Sequence, residues 1–283
     1  MDTFNLPPTP FSIFEPIGRE IPVVVEIPHA GLGVDLDALA TLTAPARAIG
    51  IDADLYVDEL YQDAAACGAS VLIAHYSRYV CDLNRSESDV DSRSVAGARG
   101  NNAPHGLIWR RTTDDLPAIA APLSPQELER RMQTIYRPYH QAMADLVQGK
   151  LQRFGYVKVL CAHSMPSRGR PGHRDAGTDR CDIVPGSRGR TTAAQNMIEL
   201  PEVLAKKRGW TVAHDDPYRG GYTTGLYGLP EPRIHAVQVE IARRLYMDEV
   251  TLVRRGDSFG QVREYCRELV VALGELTLPG VPA

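Results

Sequence analysis

Two histidines stand where chemistry is readily done. His29 lies in IPHAG and His163 in CAHSMP, each directly after an apolar run. One histidine so placed is commonly a core residue bonded to a backbone carbonyl. Two placed alike, with carboxylates nearby, suggest a metal site. Zinc favours imidazole nitrogen plus carboxylate in three-ligand catalytic centres with an open fourth position. No HExxH is present, which excludes the helical two-histidine metalloprotease plan. The third ligand is sought in Asp52-Ala53-Asp54-Leu55-Tyr56-Val57-Asp58. Aspartate at a helix start can cap the helix and meet its dipole, but one cap does not need two neighbours. Asp54 is the choice, with Asp52 and Asp58 as alternatives.

Glu240 sits in AVQVEIAR, which reads as an interior strand. Glutamate is rarely buried unless paired or functional. A desolvated carboxyl of raised proton affinity near a metal water is a general base. Its structural alternative is a buried ion pair with Arg243. Arg78 and Asp82-Leu83-Asn84-Arg85 follow another apolar run. A guanidinium can hold a carboxylate bidentately and asparagine adds a neutral donor, so they suit a small acidic molecule. An Arg–Asp surface pair is the plainer reading. The loop from Ser164 to Arg190 carries Arg168, Arg170, Arg174, Arg180, Arg188 and Arg190 against Asp175, Asp179 and Asp182. That excess attracts anions, or forms a solvated face. No GxxxxGK[ST] occurs, so Gly186-Ser187-Arg188-Gly189 is not a P-loop. Cys67, Cys81, Cys161, Cys181 and Cys266 include no CxxC, which argues against a disulfide framework or zinc ribbon.

The elements that must position these residues follow from periodicity and punctuation. Apolar β-branched runs predict strands at Ile21–Pro28, Ser70–Tyr76, Tyr156–His163 and Ala236–Ile241, with a short one opening at Gly209-Trp210. Helices are predicted from about Asp52 to Gly68, from Ser124 to about Phe154 with an interruption at Pro138, over Thr191–Lys207, and over Ser258–Gly274. Ser124-Pro125-Gln126-Glu127 has the form of a capping box with proline at the first helical position. Residues 86–123 and 164–190 read as loops, and the first is long enough to be a lid. Strands alternating with helices predict one α/β domain over residues 1–283, with a largely parallel sheet. Glu26-x-x-His29, His163 and Glu240 then fall at strand ends, where such folds place their chemistry.

The chain has 283 residues, is 43% hydrophobic and carries a net charge of −4, so it is neither mostly disordered nor a general nucleic-acid binder. No apolar run approaches the ~20 residues of a membrane helix. The N-terminal MDTFNLPPTPFSIFEP lacks a basic n-region and an apolar h-region, so a cytoplasmic protein is expected.

EIPHAG, DADLYVDELY, SRYVCDLNR, AHSMPS, DIVPGSRG, PYRGGYTTGLYG and HAVQVEIARRLYMDE occur in that order over about residues 22 to 250. In this the chain resembles the N-formylglutamate amidohydrolase (N-formylglutamate deformylase) family. The family is related to zinc-carboxypeptidase and aspartoacylase-like hydrolases. The resemblance implies a mixed, mostly parallel sheet with helices on both faces. It implies zinc, or another divalent metal, on His29, Asp54 and His163. The relatives' HxxE is missing here, because His29 is followed by Ala30-Gly31-Leu32. Asn84 and Arg85 match the pair that grips a substrate carboxylate, Arg78 the arginine that polarises the scissile carbonyl, and Glu240 the late catalytic glutamate. The implied activity is release of formate from N-formyl-L-glutamate, a small dicarboxylate, in histidine degradation. Its second carboxylate needs another cation, for which Arg180 and Arg188 are candidates. The alternatives are a deacylase of another N-acyl acidic amino acid and a non-catalytic binder of acidic metabolites.

Overall fold

The computed structural model describes residues 9–100, 104–228 and 233–279. Six strands form one mixed sheet: β1 (Phe11–Phe14), β2 (Val23–Ile27), β3 (Ser70–Ala74), β4 (Val157–Met165), β5 (Ile183–Gly186) and β6 (Ile234–Ala242). Their spatial order is β1-β3-β2-β4-β6-β5. The four inner strands are parallel, and β1 and β5 run antiparallel at the edges. Inner strands buried on both faces need apolar residues at nearly every position, which is why they read as continuous runs. β5 was expected to be loop. Its sequence IVPG is short and holds Pro185, which an edge strand tolerates, and on the outer side the Pro185 carbonyl accepts from the Asp215 amide. β1 also lies outside the predicted strands, and Gly209-Trp210 opens no strand, only a bridge between Ile183 and Val212.

Eight α-helices accompany the sheet among the described residues: α1 (Leu36–Leu39), α2 (Ala46–Asp52), α3 (Val57–Leu60), α4 (Pro125–Arg131), α5 (Arg137–Phe154), α6 (Gln195–Lys206), α7 (Tyr222–Tyr227) and α8 (Gly256–Glu275). Alternate residues of β2 face opposite layers. Val23 and Val25 join a core with Met197 of α6 and Leu269 of α8, while Val24 joins one with Tyr139 and Met143 of α5. The helix expected from Asp52 instead ends there. Ala53 is extended, and Tyr56 takes a left-handed φ of 68° before α3. This break lets the Asp54 amide bond the His29 carbonyl at 2.9 Å, tying two loops of the site together. Ser124 caps α4 by accepting from the Glu127 amide, but Glu127 turns to Arg130 and Arg131 instead of closing the box. The interruption near Pro138 is a π-helical turn over Met132–Tyr136, because proline has no N–H for the carbonyl four residues back.

Residues 86–123 contain no helix or strand among those described; residues 101–103 lie outside them. The segment is packed, with Val95, Ile108, Ile119 and Leu123 in one small apolar cluster and Trp109 and Ala118 in another. No helix among the described residues is long and apolar enough to cross a membrane.

Candidate active site

The inner strands bring the ligands and the carboxyl together. His29 follows the end of β2, His163 lies in β4, and Glu240 lies in β6 directly opposite His163 in register. Asp54 enters from the break between α2 and α3. His29 Nδ1 lies 3.2 Å from His163 Nδ1 and 3.6 Å from Asp54 Oδ2, and His163 Nδ1 lies 3.0 Å from Asp54 Oδ2. Tetrahedral ligands about 2.0–2.1 Å from zinc lie roughly 3.3 Å apart, so the triangle has the right size. Its chemistry also fits. The ionised Asp82 can only accept, so its Oδ1 at 2.8 Å from His29 Nε2 places the proton of the neutral ring there and leaves Nδ1 bare, aimed at the other two atoms. Among the described residues His29, Asp54 and His163 are the group able to hold a metal, and all three are buried.

The electrostatics follow from that burial. Burial alone would raise the Asp54 carboxyl, but hydrogen bonds from His163 and His29 hold it well below the usual carboxylate range. Asp82 is likewise pushed up by burial and pulled further down by His29 and Arg78. Asp82 accepts from His29, from Arg78 Nε and NH2 (3.3 and 3.2 Å), from Trp109 Nε1 (2.9 Å) and from the Asn84 amide (2.9 Å). Arg78 stacks 4.5 Å over the Trp109 ring. The Arg78–Asp82 pair is thus largely enclosed, with Asp82 fully buried and Arg78 half-buried, and is not a surface pair. Glu240 is raised above the ordinary glutamate value, mainly by burial, with partial relief from His163. Gln238 Nε2 donates to its Oε1 at 2.8 Å. Arg243 pairs with Asp54 Oδ1 at 3.3 Å, not with Glu240.

These groups line a cavity of about 370 Å³, a size suited to a small molecule. Arg85 is on its wall, donating to the carbonyls of His105 and Asn84. Both ends of the Asn84 amide are engaged, Nδ2 lying 3.3 Å from His163 Nε2 and Oδ1 accepting from the Thr223 amide. A Cβ on Gly221 would come within 2.2 Å of Asn84 Nδ2, so that loop needs glycine. Arg180 and Arg188 are not on this wall. Arg180 is tied to Asp175, and Arg188 donates to the Gly221 carbonyl beside a neighbouring pocket. Asp52 anchors Tyr79 and Thr113, and Asp58 lies beside Phe14 and Tyr61. Glu26 is buried against Tyr139 and Thr223 and is not on the cavity wall.

Trp109, Tyr218 and Gln238 carry no mark in the sequence that assigns them to the site, while Asp82 reads there as half of a surface pair and Arg243 as a partner of Glu240. Asp82 and Arg243 were visible as charges, but their partners lie on other elements.

The family model described as N-formylglutamate amidohydrolase matches residues 21–247. An N-formylglutamate deformylase of Pseudomonas aeruginosa is 32% identical over 265 residues, covering 89% of this chain and 92% of the relative. One from Pseudomonas putida is 32% identical over 240 residues, covering 81% and 83%. The crystal structure of N-formylglutamate amidohydrolase from Ralstonia eutropha JMP134 superposes with a TM-score of 0.85 at 30% identity, covering 94% of this chain and 98% of that one. A gene product of Agrobacterium tumefaciens shares the fold, with a TM-score of 0.65 at 17% identity, covering 94% of each chain. The chain is thus an α/β enzyme of the amidohydrolase class. It belongs to the N-formylglutamate amidohydrolase family.

Proposed function

We propose that residues 1–283 act as one catalytic domain that hydrolyses the formyl amide of N-formyl-L-glutamate, releasing formate and L-glutamate with zinc at the centre. The convergence of two imidazole nitrogens and a carboxylate oxygen beside Glu240 carries the reading. His29, Asp54 and His163 would hold the ion, which would supply Lewis acidity to the formyl carbonyl and to water. Glu240 takes the proton of the attacking water and returns it to the leaving nitrogen. Its raised proton affinity suits both transfers, and Gln238 on Oε1 leaves Oε2 for the proton. Arg78, held by Asp82 and Trp109, stabilises the developing oxyanion, an effect of about 3–4 kcal/mol per positioned donor. Arg85, whose NH2 donates to neither carbonyl, takes the α-carboxylate with Asn84 beside it.

The test is metal analysis joined to a formate-release assay before and after chelation. Stoichiometric zinc is expected, with turnover lost on chelation and restored by zinc. Full turnover by metal-free protein overturns the metal assignment. A panel of N-formyl and N-acetyl acidic amino acids separates the reading from a related deacylase. Preference for an acetyl substrate overturns the formyl assignment.

A further inference from the structure

The cavity wall carries Arg78, Arg85, Arg174, Arg219 and Arg243. Arg78 and Arg243 are committed to Asp82 and Asp54, and Arg85 to two backbone carbonyls. Arg174 and Arg219 have neither a hydrogen bond nor an ion pair to any side chain among the described residues, and both are exposed. They stand on two different loops, which Arg180 joins. Its guanidinium bonds Asp175 and His173 on one loop and the Tyr218 hydroxyl on the other. His173 also lines the cavity. Its Nδ1 accepts from Arg180 NH2 at 2.8 Å and from the Arg170 amide at 3.1 Å, so the neutral ring carries its proton on Nε2. Burial, then the Arg180 charge, push His173 down to about 4, which keeps the ring neutral near pH 7.

We infer that Arg174, Arg219 and the His173 Nε2–H form the subsite for the distal carboxylate of an N-acyl dicarboxylic amino acid, with Arg180 as the positioning residue that builds it. This rests on the hydrolase reading above. An unpaired guanidinium gains a carboxylate without surrendering a partner. Arg180 would have to leave Asp175, and Arg188 the Gly221 carbonyl, to do the same. Two free cations at one cavity also draw in a dianion.

Arg174→Gln, Arg219→Gln and the double variant test the subsite, and loss of exposed, unpaired side chains leaves folding intact. With N-formyl-L-glutamate each single change lowers kcat/KM about 10- to 100-fold through KM, the scale of one charge-assisted hydrogen bond. With N-formyl-L-glutamine, which lacks the distal charge, kcat/KM stays near the wild-type value. Arg180→Lys, which keeps the charge but loses the fork, raises KM for the glutamate substrate and spares kcat. A double variant that prefers glutamate over glutamine as strongly as wild type overturns the inference. Calorimetry with glutarate and butyrate reads the same subsite without turnover, and the variants weaken glutarate only. Loss of glutarate binding in protein that releases no formate sinks the deformylase reading and upholds the subsite. Normal turnover with unaffected variants does the reverse.

Discussion

Asp82→Asn separates the holding of the metal site from its ligands. The carboxylate of Asp82 collects donors from His29, Arg78, Trp109 and the Asn84 amide. Asparagine keeps the shape but offers one oxygen acceptor and adds two donors. If its nitrogen meets His29, the imidazole proton moves to Nδ1 and blocks the atom that faces Asp54 and His163. Loss of such a partner typically costs 10–100-fold in metal affinity, about 1.4–2.7 kcal/mol. Breaking a buried ion pair costs about 3–5 kcal/mol when the remaining charge is stranded. Arg78 is not stranded, since it keeps Asp54 at 3.9 Å and the Trp109 ring and its side chain is 14% exposed. The metal-free variant is therefore expected to lose about 2–3 kcal/mol, at or just below the bottom of that range. Zinc affinity from competition with a chromophoric chelator, and thermal unfolding of metal-free protein, are the two measurements. The pH dependence has a definite sign. Asp82 is held below its unfolded value, so its contribution is fully present above about pH 4 and is lost as pH falls through the folded value. The stability gap between wild type and variant stays level from neutral pH to about 4 and closes below it. Zinc binding by Asp82→Asn at wild-type affinity would show that the Nε2 partner does not set the state of His29.

Glu240→Gln should retain zinc while turnover falls at least ~100-fold. Because the Glu240 carboxyl is raised, its stabilising contribution is present below about pH 4.3 and is lost as pH rises through the folded value. Metal-free Glu240→Gln should therefore melt higher than wild type at neutral pH, and matching melting curves across pH would contradict the desolvation argument. Arg78→Gln should lower kcat about 10²–10³-fold with little change in KM, the pattern of an oxyanion donor. A change confined to KM would assign Arg78 to ground-state binding.

The inner sheet was legible because strands buried on both faces have no room for a polar position without a purpose. That is also why His163 and Glu240 stood out in VKVLCAH and AVQVEI. β1 and β5 escaped because FSIF and IVPG are edge strands of four residues, too short for a pattern. Asp54 could not be separated from Asp52 and Asp58 because all three fit a helix start equally well. What distinguishes Asp54 is the break at Ala53, the left-handed Tyr56, and contacts to His163 and Arg243, 109 and 189 residues away. Arg180 looked like a substrate cation because charge is visible in a sequence and saturation is not. Its partners His173 and Tyr218 become neighbours only when two loops meet.

The pairing of β4 with β6 runs through nine consecutive residue pairs, and His163–Glu240 is the seventh. The spacing of base and ligand is thus inherited from main-chain geometry, as a gauge block holds two faces apart. Side chains on the surrounding loops can change without disturbing that gauge. Evolution could therefore exchange the acid recognised at the rim while the bond-breaking apparatus stays as it is. A slip of one residue in the register between these two strands would turn one of the pair to the opposite face of the sheet and part base from ligand.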